Sequence, residues 1–276
     1  MKPLISVSAL AQAIRRTPTS ELIIIDCRFQ LQDPDWGREQ YYQSHLPEAH
    51  YLDLNQDFSA PPTPQQGRHP LPDAEQFAQT IADLGVRQNQ TQVVVYDQAQ
   101  PMFAARLWWL LRYWGHSPVQ VLDGGWQAWQ TAGQAATNQI PEPPGNGTFT
   151  PQPQPGWLMP RPQLAQQLQT DSAALTLVDC RDAPRYAGEV EPIDPIAGHI
   201  PGAINRPWRQ VCTPEGLLRS PQEITQQWSD IDLHQPTVLY CGSGVTACVN
   251  LLAIAHAGLS QPQLYPGGWS AWCHPA

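Results

Sequence analysis

The chain has 276 residues, of which 41% are hydrophobic and 14% charged, and carries a formal net charge of −9. That length holds two domains of ordinary size with real cores. An acidic chain without a basic stripe argues against nucleic acid as a partner, no apolar stretch is long enough for a membrane span, and the N-terminus has no cleavable leader pattern, so a cytoplasmic location is expected.

In chain order, residues 10–14 read as the core of a first helix. The run Ile23-Ile24-Ile25 reads as a buried strand and ends in Asp26-Cys27-Arg28. A turn follows at His45-Leu46-Pro47-Glu48-Ala49, then the loop Gly67-Arg68-His69-Pro70. A second strand, Val93-Val94-Val95-Tyr96, runs into Asp97, and residues 104–113 read as helix before Gly124-Gly125-Trp126. Residues 136–160 are rich in proline and glutamine, which precludes regular helix and favours a stiff, extended connector. Beyond it the order returns: a helix at 164–168, a strand into Asp179-Cys180-Arg181, His199-Ile200-Pro201-Gly202-Ala203, a strand Thr237-Val238-Leu239-Tyr240 into Cys241, a helix from 247 to a stop at Gly258, and Gly267-Gly268-Trp269.

A repeat of this length means duplicated domains. Strands alternating with helices make each an α/β domain with a mainly parallel sheet flanked by helices. The expected limits are 1–135 for the first domain, 136–160 for the linker and 161–276 for the second. In open sheets of this kind, sites lie beyond the carboxyl ends of the strands. Cys241 stands there, in Cys241-Gly242-Ser243-Gly244-Val245-Thr246-Ala247, between a strand's end and a helix's start. Backbone N–H groups of such a loop form a nest and the helix start adds partial positive charge, so the site suits a nucleophilic or sulfur-carrying thiolate with an anion beside it. At the same point the first half has Asp97, which cannot carry sulfur, so the first domain should be silent at its own loop and supply a wall of a cleft. The hydroxyls of Ser243 and Thr246 either serve the substrate or cap the following helix. Cys248 reads as packing or as a resolving thiol, and Cys27 and Cys180 as core. The six cysteines show no CxxC spacing, which fits reduced thiols better than disulfides or a metal site.

The loop, together with Asp179-Cys180-Arg181, Arg185-Tyr186, residues 198–205 and the late Gly-Gly-Trp motif, resembles the tandem rhodanese-type sulfurtransferases, in particular the group using 3-mercaptopyruvate. The resemblance implies two rhodanese-like domains and Cys241 as the residue that takes a sulfane sulfur from 3-mercaptopyruvate or thiosulfate. It also implies ping-pong transfer to cyanide, a thiol or a thioredoxin-like acceptor, with no cofactor and no metal. It makes Arg185 and residues 242–247 the binding site for a small anionic donor, with His45, Arg68 and His69 as first-half contributors. His45 would relay protons with the loop serine, oriented by Asp33, Asp35 or Glu39; because His199 repeats its position, a structural turn is the competing reading. The chain departs from the group's pattern in two places. No second arginine follows Arg185 in residues 189–195, and Pro266 stands where the first half keeps Asp123. A persulfide carrier serving one protein partner would share the chemistry. A cysteine-dependent phosphatase would need an arginine six residues after the cysteine, where this chain has Ala247.

Overall fold

In the computed structural model, which describes residues 1–275, each half of the chain builds its own parallel sheet. In the first, β1 (Leu4–Ile5), β2 (Leu22–Asp26), β3 (Ala49–Tyr51), β4 (Gln92–Tyr96) and β5 (Val119–Leu122) lie in the order β1-β5-β4-β2-β3. In the second, β6 (Thr176–Asp179), β7 (Ile204–Asn205), β8 (Thr237–Tyr240) and β9 (Gln263–Leu264) lie in the order β7-β6-β8-β9. All pairings are parallel, and β2 and β8 are buried along their whole length. Strands covered on both faces read as unbroken apolar runs, which is why both were visible as such in the sequence.

By their contacts the residues form two units. The first comprises Met1–Ser59, Pro72–Gln154 and Pro214–Leu217; the second comprises Ala60–Leu71, Pro155–Thr213 and the chain from Leu218 on. The loop carrying Arg68 and His69 thus belongs with the second half of the chain. The proline-rich stretch 136–160 holds no helix or regular strand and is pinned by isolated bridges, Thr137 to His45 and Thr148 to Arg87 in the first unit and Leu158 to Leu264 in the second. Among the described residues no helix is long and apolar enough to cross a membrane.

The repeat extends to side chains. Leu10, Ile24, Val94 and Trp126 pack in one core cluster, and Leu164, Leu177, Val238 and Trp269 hold the matching places in the other. Asp26 stands opposite Tyr96 in the β2–β4 register, as Asp179 stands opposite Tyr240 in β6–β8. Arg28 turns back and donates from Nη2 to Asp26 (2.7 Å) and to the Ser44 carbonyl (2.7 Å). Arg181 does the same to Asp179 (2.6 Å) and the Gly198 carbonyl (2.6 Å). Each guanidinium lies over a tryptophan, Arg28 at 4.8 Å from the Trp126 ring and Arg181 at 5.1 Å from that of Trp269. These charges are buried but well satisfied. Removing one partner would leave the other uncompensated, at a cost of about 3–5 kcal/mol. They anchor the strand ends from which Cys241 and Asp97 emerge.

Candidate active site

Cys241 directly follows β8 and is buried, and the helix Ala247–His256 begins six residues later. The carbonyl side of the intervening loop is tied down. The Cys241 carbonyl accepts from the Trp269 N–H and the Gly242 carbonyl from the Ser270 N–H, both at 2.8 Å, at the start of the helix Gly268–Trp272. The Cys248 thiol donates to the Gly244 carbonyl at 3.4 Å. Among the described residues nothing accepts the backbone N–H of Gly242, Ser243, Val245 or Thr246. A loop held by its carbonyls with its amides to spare is the composition of an anion nest. Thr246 holds the N-cap position without a side-chain capping bond. Ser243 is engaged elsewhere, its Oγ lying 2.7 Å from Nδ1 of the buried His69. Either atom can donate, according to the imidazole tautomer.

Two arginines stand against the loop. A Cβ on Gly242 would come within 2.9 Å of Arg68 Nη2, closer than contact allows, and 3.6 Å of Arg185 Nη1, an ordinary contact, so the absence of a side chain there gives Arg68 its close approach while Arg185 stands beside it. Arg185 comes from the short helix Ala183–Ala187 just past the Asp179–Arg181 corner. Arg68 is placed through Ser270: the Arg68 N–H donates to Ser270 Oγ at 3.1 Å, while the Ser270 N–H holds Gly242. One serine therefore fixes the cysteine loop and the arginine loop to each other.

Two carboxylates close the cluster. Glu191 accepts from Arg185 Nη2 (2.6 Å) and Nε (3.3 Å), from Arg181 Nη1 (3.2 Å), and from the N–H groups of Ile193 and Asp194 (3.1 and 3.0 Å). Burial opposes its charge, but these donors together hold its carboxyl below the usual range. Asp194 bridges the two site arginines, Oδ1 to Arg68 Nη1 and Oδ2 to Arg185 Nη2 at 3.2 Å. Burial, with the neighbouring Glu191 charge, pushes its carboxyl upward against the pull of the arginines. Neither the His69–Ser243 contact nor this role of residues 189–195 is read from the sequence. The first joins residues 174 positions apart; the second shows only as carboxylates where a cation was expected.

The structure sets His45 in the first unit, fully buried. Its ring stacks on Tyr41 at 4.0 Å, with Nδ1 2.6 Å from the Tyr41 carbonyl oxygen and Nε2 3.1 Å from that of Gln139. His199 stacks on Tyr186 at the same 4.0 Å, with Nδ1 2.8 Å from the Tyr186 carbonyl oxygen. The two histidines make the same corner. Cys180 is buried behind the site; burial first, and the neighbouring Cys241, push its thiol well up. Cys27 is its counterpart, with Asp97 beside it. Asp97 itself is buried, its carboxyl oxygens accepting from the N–H groups of Gln98 and Phe103 at 2.8 Å each.

Comparison with known proteins bears on the fold and family of both halves. The rhodanese-like domain pattern matches residues 6–132 and again 161–275. A Pseudomonas aeruginosa protein named "Probable 3-mercaptopyruvate sulfurtransferase" is 43% identical, covering 95% of this chain and 92% of its own. The thiosulfate sulfurtransferase of Cricetulus griseus is 33% identical, covering 100% of this chain and 93% of its own. Among solved structures, SseA of Escherichia coli, described as a 3-mercaptopyruvate sulfotransferase, superposes with a TM-score of 0.81 at 29% identity, covering 98% and 99% of the two chains.

Proposed function

Since the chain belongs to the family of rhodanese-like domains in both halves and is a sulfurtransferase, we propose that Cys241 carries the transferred sulfur and that 3-mercaptopyruvate is the preferred donor. The Cys241 thiolate attacks the donor's outer sulfur. The bond from that sulfur to the rest of the donor breaks, its electron pair leaves with pyruvate enolate or, for thiosulfate, with sulfite, and a Cys241 persulfide remains. The amides of residues 242–247 hold the negative charge on the sulfur pair, as preorganised donors do for developing anions. Arg68 and Arg185 hold the donor's anionic group, a task for which a guanidinium's fork is suited. In the second half-reaction a thiol or cyanide attacks the outer sulfur, and the Cys241 thiolate is released. A separate donor and acceptor step with a covalent intermediate gives ping-pong kinetics. Silence at Asp97 leaves this as the single sulfur-carrying centre.

The observation that supports the donor choice is the 2.7 Å contact of Ser243 with His69. An enolate must gain a proton to become pyruvate, whereas sulfite leaves stably without one. A hydroxyl backed by an imidazole in the cysteine's own loop supplies that proton. Arg68 takes the place of the arginine missing after Arg185. The test is kcat/KM for 3-mercaptopyruvate and thiosulfate side by side, with dithiothreitol as acceptor, for the wild type and Ser243→Ala. The reading expects 3-mercaptopyruvate to win and the variant to lose about 10²-fold with it, within the range of acid–base catalysis, but under threefold with thiosulfate. Equal losses with both donors would show that Ser243 does not deliver the proton. Cys241→Ser should take up no sulfur, whereas the wild type should gain about 32 Da with either donor.

A further inference from the structure

We infer that Asp194 sets donor specificity: its carboxylate is an internal counter-ion seated on Arg68 and Arg185, and a donor's anionic group binds by exchange against it. This rests on the reading of the Cys241 loop as a donor site.

The two oxygens of Asp194 are divided between the two guanidinium groups, Oδ1 on Arg68 and Oδ2 on Arg185. A carboxylate or sulfonate held by the pair would make the same contacts. Glu191 is fixed, with three arginine contacts at 2.6 to 3.3 Å on two different arginines and two backbone donors besides. Among the described residues the Asp194 carboxylate has only the two site arginines, one of them shared with Glu191, and it is destabilised where that of Glu191 is stabilised. Of the two, it is the exchangeable one. Room for the exchange lies alongside, in a cavity of about 260 Å³ lined by Arg68, Asp194, Gly67, Ile193 and Ser270. Arg68 Nε is buried without a partner among the described residues, so the cation retains donor capacity beyond its ion pair.

Charge gives the consequence. Arg68, Arg181 and Arg185 face Asp179, Glu191 and Asp194, a formally neutral cluster. An incoming anion meets no net attraction and must displace one already seated. Neutralising Asp194 leaves a net positive charge, which attracts a dianion such as thiosulfate more than a monoanion such as 3-mercaptopyruvate. Asp194 therefore holds back doubly charged donors.

The test is thiosulfate binding by equilibrium dialysis to full-length Cys241→Ser, which cannot turn over, with and without Asp194→Asn. The proposal expects Asp194→Asn to tighten thiosulfate binding about tenfold, at an affinity falling steeply with added salt. The Asp194-intact protein should show little salt dependence, because the incoming anion meets a cluster of no net charge. In the otherwise wild-type enzyme, Asp194→Asn should lower KM for thiosulfate more than for 3-mercaptopyruvate. Unchanged or weaker thiosulfate binding in Asp194→Asn overturns the proposal. So does steep salt dependence with Asp194 intact, a measurement that stands if the variant does not fold. Failure of the wild type to gain sulfur would count against the Cys241 reading, independently of the binding ratio.

Discussion

Gly268 and Gly125 are twins whose substitution separates catalytic geometry from stability. Gly268 has φ +59° and opens the helix whose Trp269 N–H binds the Cys241 carbonyl. Gly125 has φ +56° and does the same for Asp97 through Trp126. In Gly268→Ala the new Cβ would lie 2.6 Å from the Cys241 carbonyl oxygen and 2.7 Å from the Gly242 carbonyl carbon; in Gly125→Ala it would lie 2.3 Å from the Asp97 carbonyl oxygen. The left-handed backbone costs a non-glycine residue about 1–2 kcal/mol, and relieving the overlap adds about 1–3 kcal/mol. Both variants should therefore lose about 2–5 kcal/mol in urea unfolding. Ordinary contact begins near 3.4 Å, so the Cys241 carbonyl must retreat by about 0.8 Å and carry the nucleophile with it. Misplacement on the order of 1 Å costs about 10²-fold in rate. Measured with 3-mercaptopyruvate and dithiothreitol at a temperature where all three proteins are folded, Gly268→Ala should lose about 10²-fold in kcat/KM and Gly125→Ala less than threefold. Equal activity losses, or a Gly268→Ala enzyme as active as the wild type, would refute the argument that this contact positions the cysteine.

Asp179→Asn should cost about 3–5 kcal/mol, because it strands the buried Arg181 charge, and Asp26→Asn should match it in the first unit; chemical denaturation checks both. Cys180→Ser should retain kcat/KM within about twofold, since burial keeps that thiol protonated and out of the chemistry. Two buried groups of the first unit should pull stability in opposite directions with pH. Burial holds the Asp97 carboxyl up to about 7 against an ordinary 3.8, so its contribution is full below pH 3.8 and is lost as the pH rises to 7. Burial holds His116 down to about 4 against an ordinary 6.5, so its contribution is full above pH 6.5 and is lost as the pH falls to 4. The slopes are each about 1.4 kcal/mol per pH unit and largely cancel between pH 4 and 6.5. Unfolding free energies over that range should fall with pH in His116→Gln and rise in Asp97→Asn, and parallel curves for both variants and the wild type would refute the assignment.

What the sequence made legible is what buried strands and local geometry dictate. The strand Thr237–Tyr240 and the helix Ala247–His256 appear where apolar run and helix stop placed them, and Cys241 between them. The paired Asp-Cys-Arg corners showed as a repeat because the same short-range contacts recur in both copies. Strands of two residues, Leu4–Ile5 and Ile204–Asn205, leave too short a pattern to read. Side-chain pairing across long separations was not legible. The histidine facing Ser243 is His69, fixed by tertiary placement of a loop far away in the chain, whereas His45 sits against the Tyr41 and Gln139 carbonyls in the first unit. The stretch around Asp194 looked like a loss of binding charge; only the fold shows its carboxylates seated on arginines from two separate segments.

The near-identical corners beneath Asp97 and Cys241 bear on engineering. Register, buried ion pair, aromatic lid and glycine hinge are all retained in the first unit, so this scaffold forms with an aspartate at the loop as it does with a cysteine. What differs is one loop, with the helix beginning five residues after Asp97 and six after Cys241, and a carboxyl group that draws the Gln98 and Phe103 amides onto itself. On the reading of Cys241 as the sulfur carrier, a second centre would therefore begin with transplanting a single turn of chain and supplying its arginines, on a foundation that is already laid.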